Sequence, residues 1–566
     1  MVDLSVIRDP IAENKIHSIL AQLKDSLIEV LGDNLLSFFL IGNTAFNNIR
    51  PTQDVDIGIV VKRCASDPRS LKRVRYAFEE ICSKFSDTDT HVEWLARDRP
   101  WKAKPLKKYN IFLHLMFHTE PSIKRRIALQ SVLGIGMLSD ANDLYGRSSL
   151  RQHGPVSFDV GSLLRDVGGT CWLKEIFIQF LLTMRLDDNY VGPAIDVSYY
   201  VLSNATLHWC LLKGHKCFDN DKTVTLFSQY SEFPDQERRL PEHVLSLKSK
   251  ILDLKNADAL HILNDTFSFL TESITLYSNV QSEHKKDQSS LPSKTNMSLN
   301  TNRALDGLLR PIRTILGTSL RSICVLRRDK EIIDFLFDHK EFYQIFLIVD
   351  KEAKAKNILR VGSALRSISK ESKTTEIVST DFVDALETMI DSKKNSVINV
   401  NIFTTDILPR LLTSEDYAIT MKQMASYGEI IGESIPFAYM SQKITPIQFL
   451  YSWEDGTITF LQYMIESYLN ANLSRTSTLL STLLGFMAAK NALLTRNIFL
   501  EEAGSVIPRF LECFPRLKNH CFFDTLKKNT KGQSSFTDER DFKNSLRFIS
   551  ELSDVVVSDF FSTHLL

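Results

Sequence analysis

Cysteine is scarce and without pattern in this chain: eight residues in 566, with no Cys-x-x-Cys and no His/Cys cluster at zinc spacing. That excludes a zinc finger or ribbon and a disulfide framework, and it suits reduced, mostly buried thiols. Net charge is missing as well, since 68 basic residues balance 68 acidic ones. No global field draws the chain to nucleic acid, although a local basic face is not excluded. No apolar run approaches the roughly 20 residues of a membrane span. The opening segment, Met1 to Pro10, has neither the basic region nor the apolar core of a secretory leader. These absences lead to the expectation of a cytoplasmic protein with no membrane partner. What is present is ordinary globular composition, 43% apolar and 24% charged, in a length that holds about three or four domains.

The chemistry-bearing stretch runs from Phe38 to Val61. Two apolar runs of strand length flank a polar loop holding Asn, Pro and Thr. The second run opens with Asp54 and Asp56, separated by one apolar residue. Residues i and i+2 of a strand share a face, so the two carboxylates project together. Adjacent like charges repel, and such a pair is tolerated chiefly when a cation lies between them. Oxygen ligands suit Mg²⁺, which takes one or two carboxylates and completes its shell with substrate phosphates. The first run ends in Gly42-Asn43, where a glycine lets backbone approach a phosphate and the next polar residue can donate to its oxygens.

Gly-Asn, ten residues, then Asp-Val-Asp-Ile resembles the signature of the polymerase-beta-like nucleotidyltransferase superfamily, which includes kanamycin-type enzymes. The resemblance implies transfer of a nucleoside monophosphate from an NTP, such as ATP, to an acceptor hydroxyl with release of pyrophosphate. It implies Asp54 and Asp56 as ligands of Mg²⁺ or Mn²⁺, and Gly42 and Asn43 as the phosphate seat. The sequence departs from the pattern at Asn43, where the family usually has Ser, and at the third carboxylate. Glu93, in His91-Val92-Glu93-Trp94-Leu95, is the candidate for that role or for a general base. The other strand-like run, Asn110 to Phe117, carries no acid.

Along the chain, apolar spacing predicts a helix over 11–32 ending at Gly32, a helix over 70–85, and strands at 91–96 and 110–118. The run from Arg97 to Lys108 is densely basic and contains Trp101. It reads either as a solvated loop or as an electrostatic guide for triphosphate or RNA, with Lys124, Arg125 and Arg126 nearby in sequence. Residues 134–146 close the first domain. Long apolar stripes such as Leu173, Ile176, Phe177, Phe180, Leu181 and Met184 make 156–280 helical. His208, Trp209 and His215 read there as core or edge residues. Residues 281–303, rich in Ser, Asn, Lys and Thr, form a linker.

The second half echoes the first at spacings of roughly 280 to 290 residues. Tyr343–Asp350 matches Asp54–Val61, Asn401-Ile402-Phe403 matches Asn110-Ile111-Phe112, Gly456-Thr457 matches Gly169-Thr170 as a helix opening, and Phe514-Pro515 matches Phe233-Pro234. The expected fold is therefore α+β, a tandem duplication of a nucleotidyltransferase-like domain followed by a helical domain. Its expected segments are 1–150, 151–280, the linker, 304–420 and 421–566. In the alignment by sequence, Tyr343 and Ile345 replace the two aspartates, so the second copy has lost the metal clamp. The acceptor is RNA, a protein side chain or a small molecule, and the duplicated size favours a macromolecule. The rival reading is a nucleotide-binding regulatory or scaffold protein with little or no catalysis.

Overall fold

A computed structural model describes residues 10–45, 52–62, 68–84, 89–93, 110–119, 141–146, 167–184, 190–248 except 216 and 218, 254–284, 303–327, 340–408 except 381, 418–432, 475–500 except 499, 503–530 and 539–564, with scattered helical positions between 446 and 464. The chain forms two compact units, residues 1–173 with 187–273, and 174–186 with 274–566. Two of these boundaries fall inside helices, within Val167–Thr183 and within Asn256–His284.

In the N-terminal unit, helix α1 (Pro10–Leu31) buries Ile16, Ile19, Leu20, Leu23, Leu27 and Leu31, one apolar stripe. Gly32 adopts φ +50° and opens a 3-10 turn, Gly32–Asn34, that leads into β1 (Leu35–Ile41). A short helix α2 (Gly42–Ala45), β2 (Thr52–Val61), α3 (Pro68–Lys84), β3 (Asp89–Glu93), β4 (Asn110–Thr119) and β5 (Asn142–Tyr145) follow. The sheet has the order β3-β4-β2-β1-β5. Strands β2, β4 and β3 run parallel, and β1 is antiparallel to both β2 and β5. The basic run 97–108, residues 124–126 and residues 134–140 lie outside the described residues.

Helices α4 (Val167–Thr183), α5 (Val191–Leu212), α6 (Asn220–Tyr230), α7 (Asp235–Lys248) and α8 (Asn256–His284) come next; residues 285–302 of the expected linker are outside the description. Asp219 caps α6 by accepting from the amides of Asp221 and Lys222. Trp209, Phe227, Phe233 and Phe269 meet edge-on or stacked with ring centroids 5.0 to 5.5 Å apart, the geometry in which aromatic quadrupoles attract.

The C-terminal unit repeats this order. Helix α9 (Arg303–Leu316) leads to a 3-10 turn, Gly317–Ser319, then β6 (Leu320–Arg327), β7 (Glu341–Val349), α10 (Ala355–Glu371), β8 (Thr375–Val378), α11 (Phe382–Asp391), β9 (Ser396–Thr404), α12 (Ala418–Tyr427) and β10 (Glu429–Gly432). Its sheet order is β10-β6-β7-β9-β8, which read from the other edge matches the first strand for strand, with the same parallel and antiparallel neighbours. Details coincide too. The register slips between Leu35 and Ser37 in one sheet and between Leu320 and Ser322 in the other. Gly317 repeats Gly32 with φ +53°. Gly146 and Gly432, both at positive φ, end the edge strands against the carbonyls of Leu36 and Arg321.

Helices α13 (Arg475–Leu494), α14 (Ala503–Cys513), α15 (Phe522–Thr530) and α16 (Glu539–His564) parallel α5 to α8. Helix α13 is long and apolar enough by composition to cross a bilayer, yet 89% of its apolar window is buried, as in the core helix of a folded domain. Phe510, Phe514, Phe522, Phe523 and Phe548 form the ring cluster here, with the Arg496 guanidinium 4.9 Å over Phe514. Thr457 donates to the Trp453 carbonyl, so Gly456 lies inside a helical turn already running at Trp453 instead of opening the helix. Gly169 likewise follows the α4 start at Val167.

Part of α4 belongs to this unit. Lys174, fully buried, donates to Asp406 Oδ2 at 2.8 Å, while Asp406 Oδ1 has no hydrogen-bond partner among the described residues. Arg366 donates to the carbonyls of Leu182 at 2.7 Å and Met184 at 2.8 Å. These bonds satisfy carbonyls at the end of α4, where no further helical turn can.

Candidate active site

Strand β1 delivers the chain to Gly42 opposite Asp56, since Ile41 pairs with Asp56 across the ladder. Gly42 takes φ +66°, a conformation that side chains with a Cβ rarely adopt. A Cβ at this position would lie 2.8 Å from Asp56 Oδ2. Glycine is therefore required twice, by the turn and by the carboxylate resting against it. Helix α2, which carries Asn43, begins at this glycine and packs beside α6.

The pleat decides which residues share Asp56's face. Val55, Ile57 and Ile59 are fully buried, as are their β4 neighbours Leu113 and Leu115. Alternation assigns Asp54 and Asp56 to the other face, where Asp56 is half-buried. Farther along that face, the Phe39 ring fills the space above Gly58.

The parallel ladders extend two rows across β2, β4 and β3. Asp54 is in register with Phe112 and His91; Asp56 is in register with His114 and Glu93. Of these six same-face positions, five hold a carboxylate or an imidazole. Glu93 stands on the edge strand, two strand spacings or about 10 Å of backbone from Asp56, with His114 between them. The side chains of Asn43, Asp54, His91, Glu93, Phe112 and His114 lie outside the description, so these residues are placed by backbone and register alone. Among the described residues no group of three His, Cys, Asp or Glu side chains could hold a metal ion. A search of β4 for an acid passes over His114, and over His91 on the strand beside it. The signal that finds them is parity, because His114 falls in phase with Asp56 once β2 and β4 are paired.

The same rows in the second sheet correct the expected replacements. Ile41 faces Asp56 as Leu326 faces Gln344, and Val61 pairs with Thr119 as Val349 pairs with Thr404. The counterparts of Asp54 and Asp56 are therefore Phe342 and Gln344, not Tyr343 and Ile345. A one-residue slip moves every side chain to the opposite face, and two apolar runs compared by sequence do not resolve that slip. The second-sheet rows read Phe342, Val397, Glu376 and Gln344, Asn399, Val378. Phe342, Gln344, Val397 and Asn399 are all buried. The Asn399 amide donates to the Thr380 carbonyl at 3.0 Å and accepts from the Thr380 amide at 3.2 Å. Glu376 is paired with Lys394 Nζ at 3.0 Å. The counterpart of Gly42 is Arg327, an extended residue of β6.

His208 and Trp209 are core residues of α5, and His215 is exposed with its ring stacked on Trp209. Burial lowers the His208 pKa from 6.5 to about 4, so the ring is neutral near pH 7.

No protein-family model matches the chain, and no curated protein matches it in sequence. Among solved structures, a spectinomycin adenyltransferase from Enterococcus faecialis, crystallised with ATP and spectinomycin, is similar at 13% identity and a TM-score of 0.29, over 45% of this chain and 98% of that one. A likeness of that size carries no weight here, and the reading of the site rests on the strands and the glycine turn.

Proposed function

We propose that the N-terminal unit is a metal-dependent nucleotidyltransferase, moving a nucleoside monophosphate from an NTP to an acceptor hydroxyl with release of pyrophosphate. The observation that carries the reading is the Asp56 carboxylate held against the Cα of Gly42, with Asp54 one same-face row away. Paired carboxylates beside a backbone turn that leaves no room for a side chain suit a cation and a polyphosphate together. The donor set fits Mg²⁺ or Mn²⁺, which Asp54 and Asp56 would hold. When bound, the ion supplies charge neutralisation to the triphosphate and a lowered pKa to the acceptor hydroxyl.

The chain's own residues do the rest. Gly42 lets backbone come close to the phosphates, and Asn43 offers an amide donor in place of a serine hydroxyl. The acceptor oxygen bonds to the α-phosphorus as the bond to the pyrophosphate oxygen breaks, and the acceptor's proton passes to a base, a role we assign to Glu93. The acceptor is a hydroxyl of RNA, of protein or of a small molecule.

We further propose that the two units are copies of one duplicated ancestor, the second without the site. Matching strand order, bulge position, glycine turns and helix order support this reading. A test incubates the protein with each labelled NTP, Mg²⁺ or Mn²⁺, and cell extract or total RNA. Label appearing on one acceptor class, and lost in an Asp54→Ala/Asp56→Ala variant, is the expected result. NTP binding without transfer would replace the enzyme by a nucleotide-binding regulatory protein.

A further inference from the structure

The chain as a whole is electrically neutral, but its cations are not evenly spread. In the C-terminal unit Leu320 pairs with Val349, and the Asp350 amide donates to the Ser319 carbonyl at 2.7 Å. The end of α9 and the start of α10, two helices that pack together, are thereby drawn to one end of the sheet. Exposed there are Arg310 and Arg313 in the last turns of α9, and Lys354, Lys356 and Arg360 at the start of α10. The described acids of this region are already taken, Asp350 by Arg321 and Glu352 by Lys351 at 3.8 Å. Among the described residues the five remaining cations form no ion pair. Lys354 precedes α10 without a side-chain cap, and no acid occupies the first turn, although the positive end of a helix dipole favours acids over bases.

The first unit supplies the contrast. There α1 packs on α3 as α9 packs on α10. With Gly32 set on Gly317, the exposed Asp25 and Glu29 of α1 stand where α9 has Arg310 and Thr314. Acids thus accompany the exposed Arg73 of α3, and they are missing from the second helix pair. Cations gathered on one face without local acids repel each other, and an anionic partner relieves that repulsion. We infer that the α9–α10 face binds the phosphate backbone of a nucleic-acid duplex without reading its sequence. Phosphate oxygens are the repeated charge that Arg and Lys match, and such contacts carry no sequence information. Among the described residues the exposed large apolar side chains are Ile11, Tyr76 and Tyr230, none of them on α9 or α10. The face therefore offers no ring for stacking unpaired bases and no wedge for a bilayer, which favours a duplex backbone over a single strand or a lipid surface. Such binding needs no catalysis by the N-terminal unit.

The test titrates labelled RNA and DNA duplexes of unrelated sequence with full-length protein, following anisotropy over a range of salt. Sedimentation with phosphatidylserine-containing vesicles runs in parallel. The expected result is duplex binding that is indifferent to sequence and weakens as salt rises. In Lys354→Glu/Lys356→Glu/Arg360→Glu the affinity falls at least roughly tenfold, and the slope of log K against log salt drops by about one for each cation removed. Acids suit the start of a helix, so this variant keeps its fold, which its circular dichroism checks. Arg310→Gln/Arg313→Gln, which only removes charge, gives a smaller loss in the same direction and stands in should the triple variant fail to fold. Lys222→Glu/Arg239→Glu/Lys255→Glu, the same change of charge on exposed residues of the first unit, keeps both affinity and slope. Binding to neither duplex, undiminished binding in the α9 and α10 variants, or an equal loss in the first-unit variant overturns the inference. Vesicles carried down while neither duplex binds replace it by a membrane surface. RNA bound and DNA refused identifies the duplex as RNA, whereas equal binding identifies the shared backbone.

Discussion

The two sheets share strand order, strand sense and even the site of a register slip, yet the same six positions on one face hold different chemistry, five carboxylates or imidazoles in one sheet and a single carboxylate in the other. In the N-terminal sheet they are Asp54, Asp56, Phe112, His114, His91 and Glu93; in the C-terminal sheet they are Phe342, Gln344, Val397, Asn399, Glu376 and Val378. Val55, Ile57 and Ile59 are fully buried, and their counterparts by register are Tyr343, which is half-buried, and Ile345 and Leu347, which are buried. The other face differs in burial as well as in chemistry: Phe342, Gln344, Val397 and Asn399 are buried, whereas Asp56 is half-buried. On that face the second sheet carries buried amides and apolar side chains beside Glu376, which is paired with Lys394, and the amide of Asn399 is bonded to Thr380, since a buried polar group left without a partner costs about 1 to 3 kcal/mol.

The largest expected effect separates the units by activity. Asp54→Ala/Asp56→Ala lowers label transfer by roughly a thousandfold or more, the loss of several kcal/mol of charge stabilisation. Glu376→Gln, at the equivalent face of the second sheet, leaves the rate within about twofold. Comparable losses from both would break the contrast between the two sheets.

Next comes a stability difference belonging to the C-terminal unit. Lys174→Ala strands the buried Asp406 carboxylate and lowers unfolding free energy by about 3 to 5 kcal/mol, measured by urea titration. The paired Lys174→Met/Asp406→Leu variant recovers most of that loss, because it removes both buried charges together.

Acid acts on the N-terminal unit through His208. The folded state holds this ring neutral with a pKa lowered from 6.5 to about 4, whereas the unfolded chain takes up the proton. Stability is whole above pH 6.5 and declines as pH falls from 6.5 toward about 4, by up to roughly 3 kcal/mol. Urea titrations across that window show the decline in the wild type and a flatter profile in His208→Leu.

The smallest effect compares two glycines within one unit. Gly32→Ala and Gly42→Ala each introduce a Cβ at positive φ, at a cost of about 1 to 2 kcal/mol. The space beyond Gly32 is open, while that beyond Gly42 is occupied by Asp56. Gly42→Ala loses at least as much stability as Gly32→Ala, and only Gly42→Ala loses metal binding and transfer.

Much of the fold and half of the candidate site are legible in the amino-acid sequence. The stripe of α1, the turn at Gly32 and the strand pair around Gly42 follow from apolar period and glycine placement, and Asp54 and Asp56 stand out by their i, i+2 spacing. His114 does not, because a lone histidine in an apolar run is indistinguishable from a core residue until the neighbouring strand is set beside it, and the phase of His91 is likewise fixed only by its pairing with β4. Alignment by sequence displaces the equivalent of Asp56 by one residue, to Ile345 instead of Gln344, for a related reason. Strands β2 and β7 are both apolar runs preceded by stretches of different length, so similarity of composition leaves their phase undetermined.

Local terms are thus encoded residue by residue: where helices and strands form, which turn demands glycine, and that two carboxylates share a strand face. The register between strands far apart in the chain is a property of the assembled sheet. With it come the row of Asp56, His114 and Glu93 and the silent row of Gln344, Asn399 and Val378. The physical reason is that local propensity acts over a few residues, whereas register is set by hydrogen bonds and packing between segments that meet only when the sheet closes.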